Sequence, residues 1–147
     1  MADSTVRTYS PSEVNVLVNG VPIAGFADGT FIKIVRNGDA FSKKKGADGT
    51  IDRINNNAFD FEVEFVLRRT SPFNAVFSGL LAADQISNAG IFPLTITDNS
   101  GPTNGPSVFA ATQAWFRKDP GTEYADSLGN YTWKIDTGTG TNFIGGN

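Results

Sequence analysis

The stretch from Asp60 to Arg69 sets the terms on which this chain can fold. Phe61, Val63, Phe65 and Leu67 alternate there with Asp60, Glu62, Glu64, Val66 and Arg68, and successive side chains point to opposite faces in an extended strand. One face suits a core, and the other is polar and mostly acidic. A period of two recurs at Val14 to Val18, Thr30 to Arg36, Ile91 to Thr97, Ser107 to Lys118 and Asn130 to Asp136. Turn signals separate these segments at short intervals, which is the pattern of an all-β domain. Asn19-Gly20 and Asn37-Gly38 supply the positive φ that tight turns need. The turn-rich run from Asp98 to Pro106 joins two strands expected to be antiparallel.

One helix interrupts the alternation. Ser71-Pro72 offers an N-cap followed by proline at the first helical position, and Phe73, Val76, Phe77, Leu80 and Leu81 then fall on a single stripe. This spacing predicts a helix over about residues 72–86 lying against a sheet. Two stretches do not read as ordinary connections. Residues 37–57 form a long segment of weak apolar periodicity, longer than the loops that usually join strands. The Gly/Thr tract 137–147 carries one apolar pair, Phe143-Ile144, and reads as a flexible C-terminal arm; residues 1–10 read as a flexible N-terminus. The whole length of 147 residues suits one domain, 1–147.

Composition narrows the function. The chain has no His and no Cys, so it offers no imidazole base, no thiol nucleophile, no Ser-His-Asp triad, no zinc site of the usual ligands and no disulfide framework. The paired carboxylates Asp60, Glu62 and Glu64, or Glu123 with Asp126, could in principle serve glycoside hydrolysis. On a strand, however, Glu62 and Glu64 point side by side from one face, where mutual repulsion favours a solvated or channel-lining surface over a raised-pKa acid. Ala27-Asp28-Gly29-Thr30 recurs as Ala47-Asp48-Gly49-Thr50 and reads as two turns of the same chemistry rather than a cation site. No enzyme and no cofactor or metal is expected. Trp115 and Trp133 read as core or interface residues, with a carbohydrate- or surface-binding β module as the alternative function.

The net charge of −3 argues against a protein that clamps nucleic acid. Its distribution is uneven: residues 31–60 carry +2, led by Lys43, Lys44 and Lys45, while the remainder is acidic. No run of about 18 apolar residues occurs, and the first ten residues lack the apolar stretch of a secretory signal, so neither a membrane anchor nor export by that route is expected.

The segments Tyr9-Ser10-Pro11, Val14-Asn15-Val16 and Ile23-Ala24-Gly25-Phe26-Ala27-Asp28-Gly29-Thr30-Phe31-Ile32-Lys33-Ile34 with Arg36 resemble the tail tube proteins of contractile-tailed bacteriophages. The strand at 60–69, followed by a Ser-Pro helix start and a two-leucine helix, fits the same pattern over roughly the first 85 residues. The resemblance implies a mainly β fold, a sandwich or barrel-like tail-tube domain with one helix, six copies of which form a ring around a hollow bore. Stacked rings would make the inner tail tube of a virion, assembled in the host cytoplasm, through which DNA passes without specific binding. Related tubes serve other contractile injection systems. The implied partners are further copies of the chain, together with sheath, tape-measure and baseplate proteins. Stacking implies contacts between rings, for which Phe41, Lys43, Lys44, Lys45, Asp119, Glu123, Asp126, Phe143 and Ile144 are the candidates. The lysines, which lead the positive segment, would face the acidic group, and the long 37–57 loop and Gly-rich tail suit a head-to-tail contact that does not close on itself and so builds a filament. Asp60, Glu62 and Glu64 are candidates for an acidic lumen wall that repels phosphate.

Overall fold

The computed structural model describes residues 9–100 and 106–145. After a 3-10 turn at Pro11–Glu13, the described elements run β1 (Val14–Val18), β2 (Val21–Pro22), β3 (Ile32–Arg36), β4 (Phe41–Lys45), β5 (Ile51–Asn55), β6 (Phe61–Arg68), α1 (Phe73–Ser87), β7 (Phe92–Asp98), β8 (Ser107–Lys118), β9 (Asn130–Thr137) and β10 (Gly140–Phe143). The main sheet has the order β2-β1-β7-β8-β9-β6-β3, with β10 on β8, and every pairing is antiparallel. It is open. β4 and β5 form a separate two-stranded sheet.

β6 shows why the alternation matters. Phe61, Val63, Phe65 and Leu67 are fully buried, while Glu62, Glu64 and Val66 are only part-covered and Arg68 is exposed. Side chains from strands at both ends of the sheet, Val16 and Val18 of β1 and Ile32 and Ile34 of β3, reach the same contiguous core. The helix seals it with one ring. Phe77 lies 4.8 Å from Phe116, 5.5 Å from Trp133 and 6.2 Å from Phe65, centroid to centroid. Burial of such a side chain contributes about 1.5–3 kcal/mol by transfer alone. The start of α1 is fastened by Asn74, whose Nδ2 donates to the carbonyls of Arg68 and Ser71 while its Oδ1 accepts from Trp133 Nε1 at 3.0 Å. Ser71 Oγ accepts the Phe73 amide and donates to the Ala24 carbonyl. This leaves no room at Gly25: its φ is +82°, and a Cβ there would fall 2.5 Å from Ser71 Oγ, so only glycine fits.

Two expectations change. The 37–57 segment is a β-hairpin rather than a structureless loop, with Phe41 opposite Asn55 and Lys45 opposite Ile51. Its strands escaped notice because all ten of their residues are exposed, and a strand that buries neither face carries no apolar alternation. Within the Gly/Thr tract, Gly140–Phe143 adds to β8 as β10, ordered by main-chain hydrogen bonds that composition does not reveal; residues 146–147 of that arm and residues 1–8 of the N-terminus lie outside the described residues. In β3 the inward residues are Ile32 and Ile34, whereas Val35 is exposed. Apart from the two-residue β2, which the alternation does not mark, the remaining strands and α1 match the sequence pattern to within about two residues. Asn19 and Gly20, with φ of 53° and 78°, make the turn that the pair predicts. Both Asp-Gly repeats are turns, with Gly29 at φ +82° and Gly49 at +90°.

Candidate assembly surfaces

Residues directly opposite each other in an antiparallel pair share a face, so the register of β4 and β5 sorts the lysine run. Phe41, Lys43 and Lys45 lie on one face with Asn55, Arg53 and Ile51; Ser42 and Lys44 lie on the other with Ile54 and Asp52. The first face holds three cations and no carboxylate. Lys43 stands directly opposite Arg53, a like-charge pairing that destabilises a lone hairpin. Arg53 is stacked on Phe41, its guanidinium carbon 3.9 Å from the ring centroid. Lys44 faces Asp52 and is locally compensated. Arg53 was not among the sequence candidates, because only the register brings it beside Lys43. The hairpin tip is a tight turn in which the Thr50 amide donates to Asp48 Oδ1 at 3.0 Å. That hydrogen bond, with one from the Thr50 hydroxyl, holds the Asp48 carboxyl below its ordinary value of 3.8.

The acidic candidates lie elsewhere. Asp119, Glu123 and Asp126 belong to the exposed loop between β8 and β9. Arg69 pins this loop: it donates to the Glu123 carbonyl at 2.9 Å and lies over the rings of Tyr124 at 4.6 Å and Tyr131 at 5.7 Å. Among the described residues no ion pair joins the hairpin lysines to these carboxylates within one chain. Phe143 and Ile144 are exposed at the end of β10.

The outward face of β6, β9 and β8 lies opposite α1. Asp60, Glu62 and Glu64 do border it, but as members of a mixed-charge array. Glu64 lies between Lys33 on β3 and Lys134 on β9, with Lys134 Nζ 3.6 Å from its carboxylate. Glu62 lies directly opposite Asp136, and Arg117 bridges the two: Nη2 is 3.3 Å from Glu62, and Nε donates to Asp136 at 2.9 Å. Asp60 accepts from Asn37 Nδ2 at 3.1 Å. The hydrogen bonds that Arg117 donates, chiefly to Asp136 and then to Glu62, raise its pKa further above the ordinary value. Arg117 follows the buried Phe116 on β8 and so points to the same outward face as Trp115. A β-bulge comes next: the register passes from Phe116 opposite Ile135 to Lys118 opposite Lys134, which brings Lys118 to that face as well.

Two strand edges flank this face. β3 pairs only with β6, and β8 beyond Ala114 has β9 on one side and no described partner on the other. Such edges carry unpaired N–H and C=O groups ready for another strand. The described residues include no cluster of three or more metal-ligating side chains, and no described helix is long and apolar enough to cross a membrane. Trp133 is buried in the core, and Trp115 is half-covered on the charged face beside Asp136.

Comparison with known proteins points in one direction. A family model described as Bacteriophage PhiTE tail tube protein matches residues 7–145. No curated protein matches the chain in sequence. Among solved structures, the cap that terminates the anti-feeding prophage tube superimposes with a TM-score of 0.67 at 8% identity, covering 97% of this chain and 95% of that one. The sheath/tube terminator of an extracellular contractile injection system, PVC, in the extended state gives 0.63 at 9% identity, covering 96% and 100%. The PVC sheath-tube complex in the extended state gives 0.59 at 9% identity, covering 92% and 90%. At such identities the structural likeness establishes the fold.

Proposed function

The chain belongs to the Bacteriophage PhiTE tail tube protein family, and from that premise we propose that six copies close into a ring and that rings stack into a hollow tube for DNA ejection. The role is structural and its place is the tail of a virion. The observation that carries the ring is the pair of open edges. In this reading the β3 edge at Ile32–Arg36 of one copy pairs with the β8 edge beyond Ala114 of the next, so that β3, β6, β9 and the end of β8 make a continuous inner wall with α1 outside. Edge pairing of this kind removes the aggregation hazard that both edges present in a single chain.

Stacking uses the other two surfaces. The face of the hairpin bearing Phe41, Lys43, Lys45 and Arg53 meets Asp119, Glu123 and Asp126 of a copy in the next ring, with Phe143 and Ile144 as apolar contacts. Lys44 belongs to the opposite face and takes no part. A lone two-stranded hairpin is marginal in water, and one with Lys43 opposed to Arg53 gains most from an acidic partner. The proposal includes a sheath outside the tube, a reading supported by the likeness to a sheath-tube complex, together with tape-measure and baseplate contacts and assembly in the host cytoplasm. Negative-stain electron microscopy of the purified protein tests the reading: rings or tubes about six subunits around are expected, and monodisperse single chains at high concentration would overturn it.

A further inference from the structure

The charged face opposite α1 does not have the character of an acidic wall. Its carboxylates, Asp60, Glu62, Glu64 and Asp136, share it with five cations: Lys33 on β3, Arg68 on β6, Lys134 on β9, and Arg117 and Lys118 on β8. Two of these five cations are held by carboxylates. Lys134 is held by Glu64 at 3.6 Å, and Arg117 by Glu62 at 3.3 Å and by Asp136 through Nε at 2.9 Å. Each of these carboxylates is part-covered and fixed on a strand, so it competes with any incoming anion as an intramolecular ligand at high effective concentration. Arg117 lies on the same face of β8 as Trp115, which stands opposite Asp136, and so its guanidinium reaches between the facing carboxylates of Glu62 and Asp136.

We infer that this face is a masked phosphate track, in which Glu62, Glu64 and Asp136 occupy the Arg117 and Lys134 groups that would otherwise grip the phosphodiester backbone of DNA. The wall neither repels the polymer strongly nor holds it. Phosphate contacts by Lys or Arg supply most non-specific DNA affinity, and each contact adds a fixed increment to its salt dependence. With Arg117 and Lys134 occupied the face grips phosphate at fewer points, and with these two masks removed it grips it more strongly. The inference rests on the tube reading for what passes over the face, but the masking is a property of one chain.

The test is binding of a short duplex DNA to dispersed full-length chains, followed by fluorescence anisotropy as salt is raised from about 50 to 200 mM. E62Q/D136N unmasks Arg117, and E64Q unmasks Lys134. E123Q/D126N is the control: it changes net charge by the same two units as the first variant, but its carboxylates engage no cation among the described residues. E62Q/D136N is expected to bind roughly tenfold or more tighter than the unaltered chain, with the slope of log K against log salt steeper by about 0.9 for the freed arginine. E64Q should gain a slope increment of similar size from Lys134, and it is the readout if the double variant does not fold. The control should stay within about twofold, since it frees no phosphate ligand. Equal gains in E62Q/D136N and the control, or no gain in E62Q/D136N and E64Q, would overturn the inference. Failure of the tube reading shows separately, as single chains in micrographs, and leaves the binding comparison intact.

Discussion

The two five-residue strands of the hairpin and the eight-residue strand β6 use the same backbone geometry to opposite ends. In β6, four side chains are fully buried against the core and the outward carboxylates are paired, Glu64 with Lys134 on β9 and Glu62 with Arg117 on β8. In the hairpin nothing is buried, and Lys43 stands across from Arg53. The first region is stable because its two faces have different solvents. The second is held by main-chain bonds and a tight turn, and its surplus positive charge is directed outward. The contrast separates a part that folds the chain from a part suited to joining it to another.

The sharpest way to break the comparison is to damage one region and watch the other. Phe77→Ala removes the ring on which Phe65, Phe116 and Trp133 converge and should cost about 3–5 kcal/mol of global stability. Ile54→Ser, on the exposed hairpin, should stay within about 0.5 kcal/mol. Urea denaturation followed by tryptophan fluorescence checks both, and comparable losses would mean that the hairpin belongs to the core after all. The second comparison lies inside the hairpin. Lys43→Glu and Lys44→Glu change net charge equally, yet only Lys43 lies on the uncompensated face. Tube yield by sedimentation should fall several-fold for Lys43→Glu, most steeply at low salt where exposed charges are least screened, and remain near normal for Lys44→Glu. Equal yields would remove the assignment of faces.

The smallest effect concerns pH. The Asp48 carboxyl lies below 3.8 because the Thr50 amide and hydroxyl donate to its charged form. Its contribution to the hairpin turn is therefore complete above 3.8 and is lost as pH falls through the lowered folded value. The Thr50 amide resonance should accordingly titrate with a midpoint below pH 3.8 and be flat towards neutrality. A midpoint at or above 3.8 would show that the turn does not hold the carboxylate.

Much of the molecule was legible because burial writes a period into a sequence. The alternation of Phe61, Val63, Phe65 and Leu67, the stripe from Phe73 to Leu81 and the Asn19-Gly20 turn each announced themselves locally. Where burial is absent the text goes blank. The hairpin at 41–55 and the added strand Gly140–Phe143 are held by backbone hydrogen bonds, which any side chains permit. The candidate surfaces were half legible: the lysine run and the acidic loop residues stood out, but neither Arg53 nor Arg117 did.

The sequence by itself determined that this is a mainly β chain with one amphipathic helix, without the side chains of common catalysis, and with its positive charge gathered near residue 43. Only the tertiary structure decided which charges meet. Lys43 opposes Arg53 while Lys44 opposes Asp52, and Arg117 of β8 bridges Glu62 and Asp136 on two other strands. Pairing register relates strands far apart in the chain, and a shift of one residue turns every side chain to the other face. Such a relation has no local signature, so an acidic face in the sequence became a compensated one in the fold.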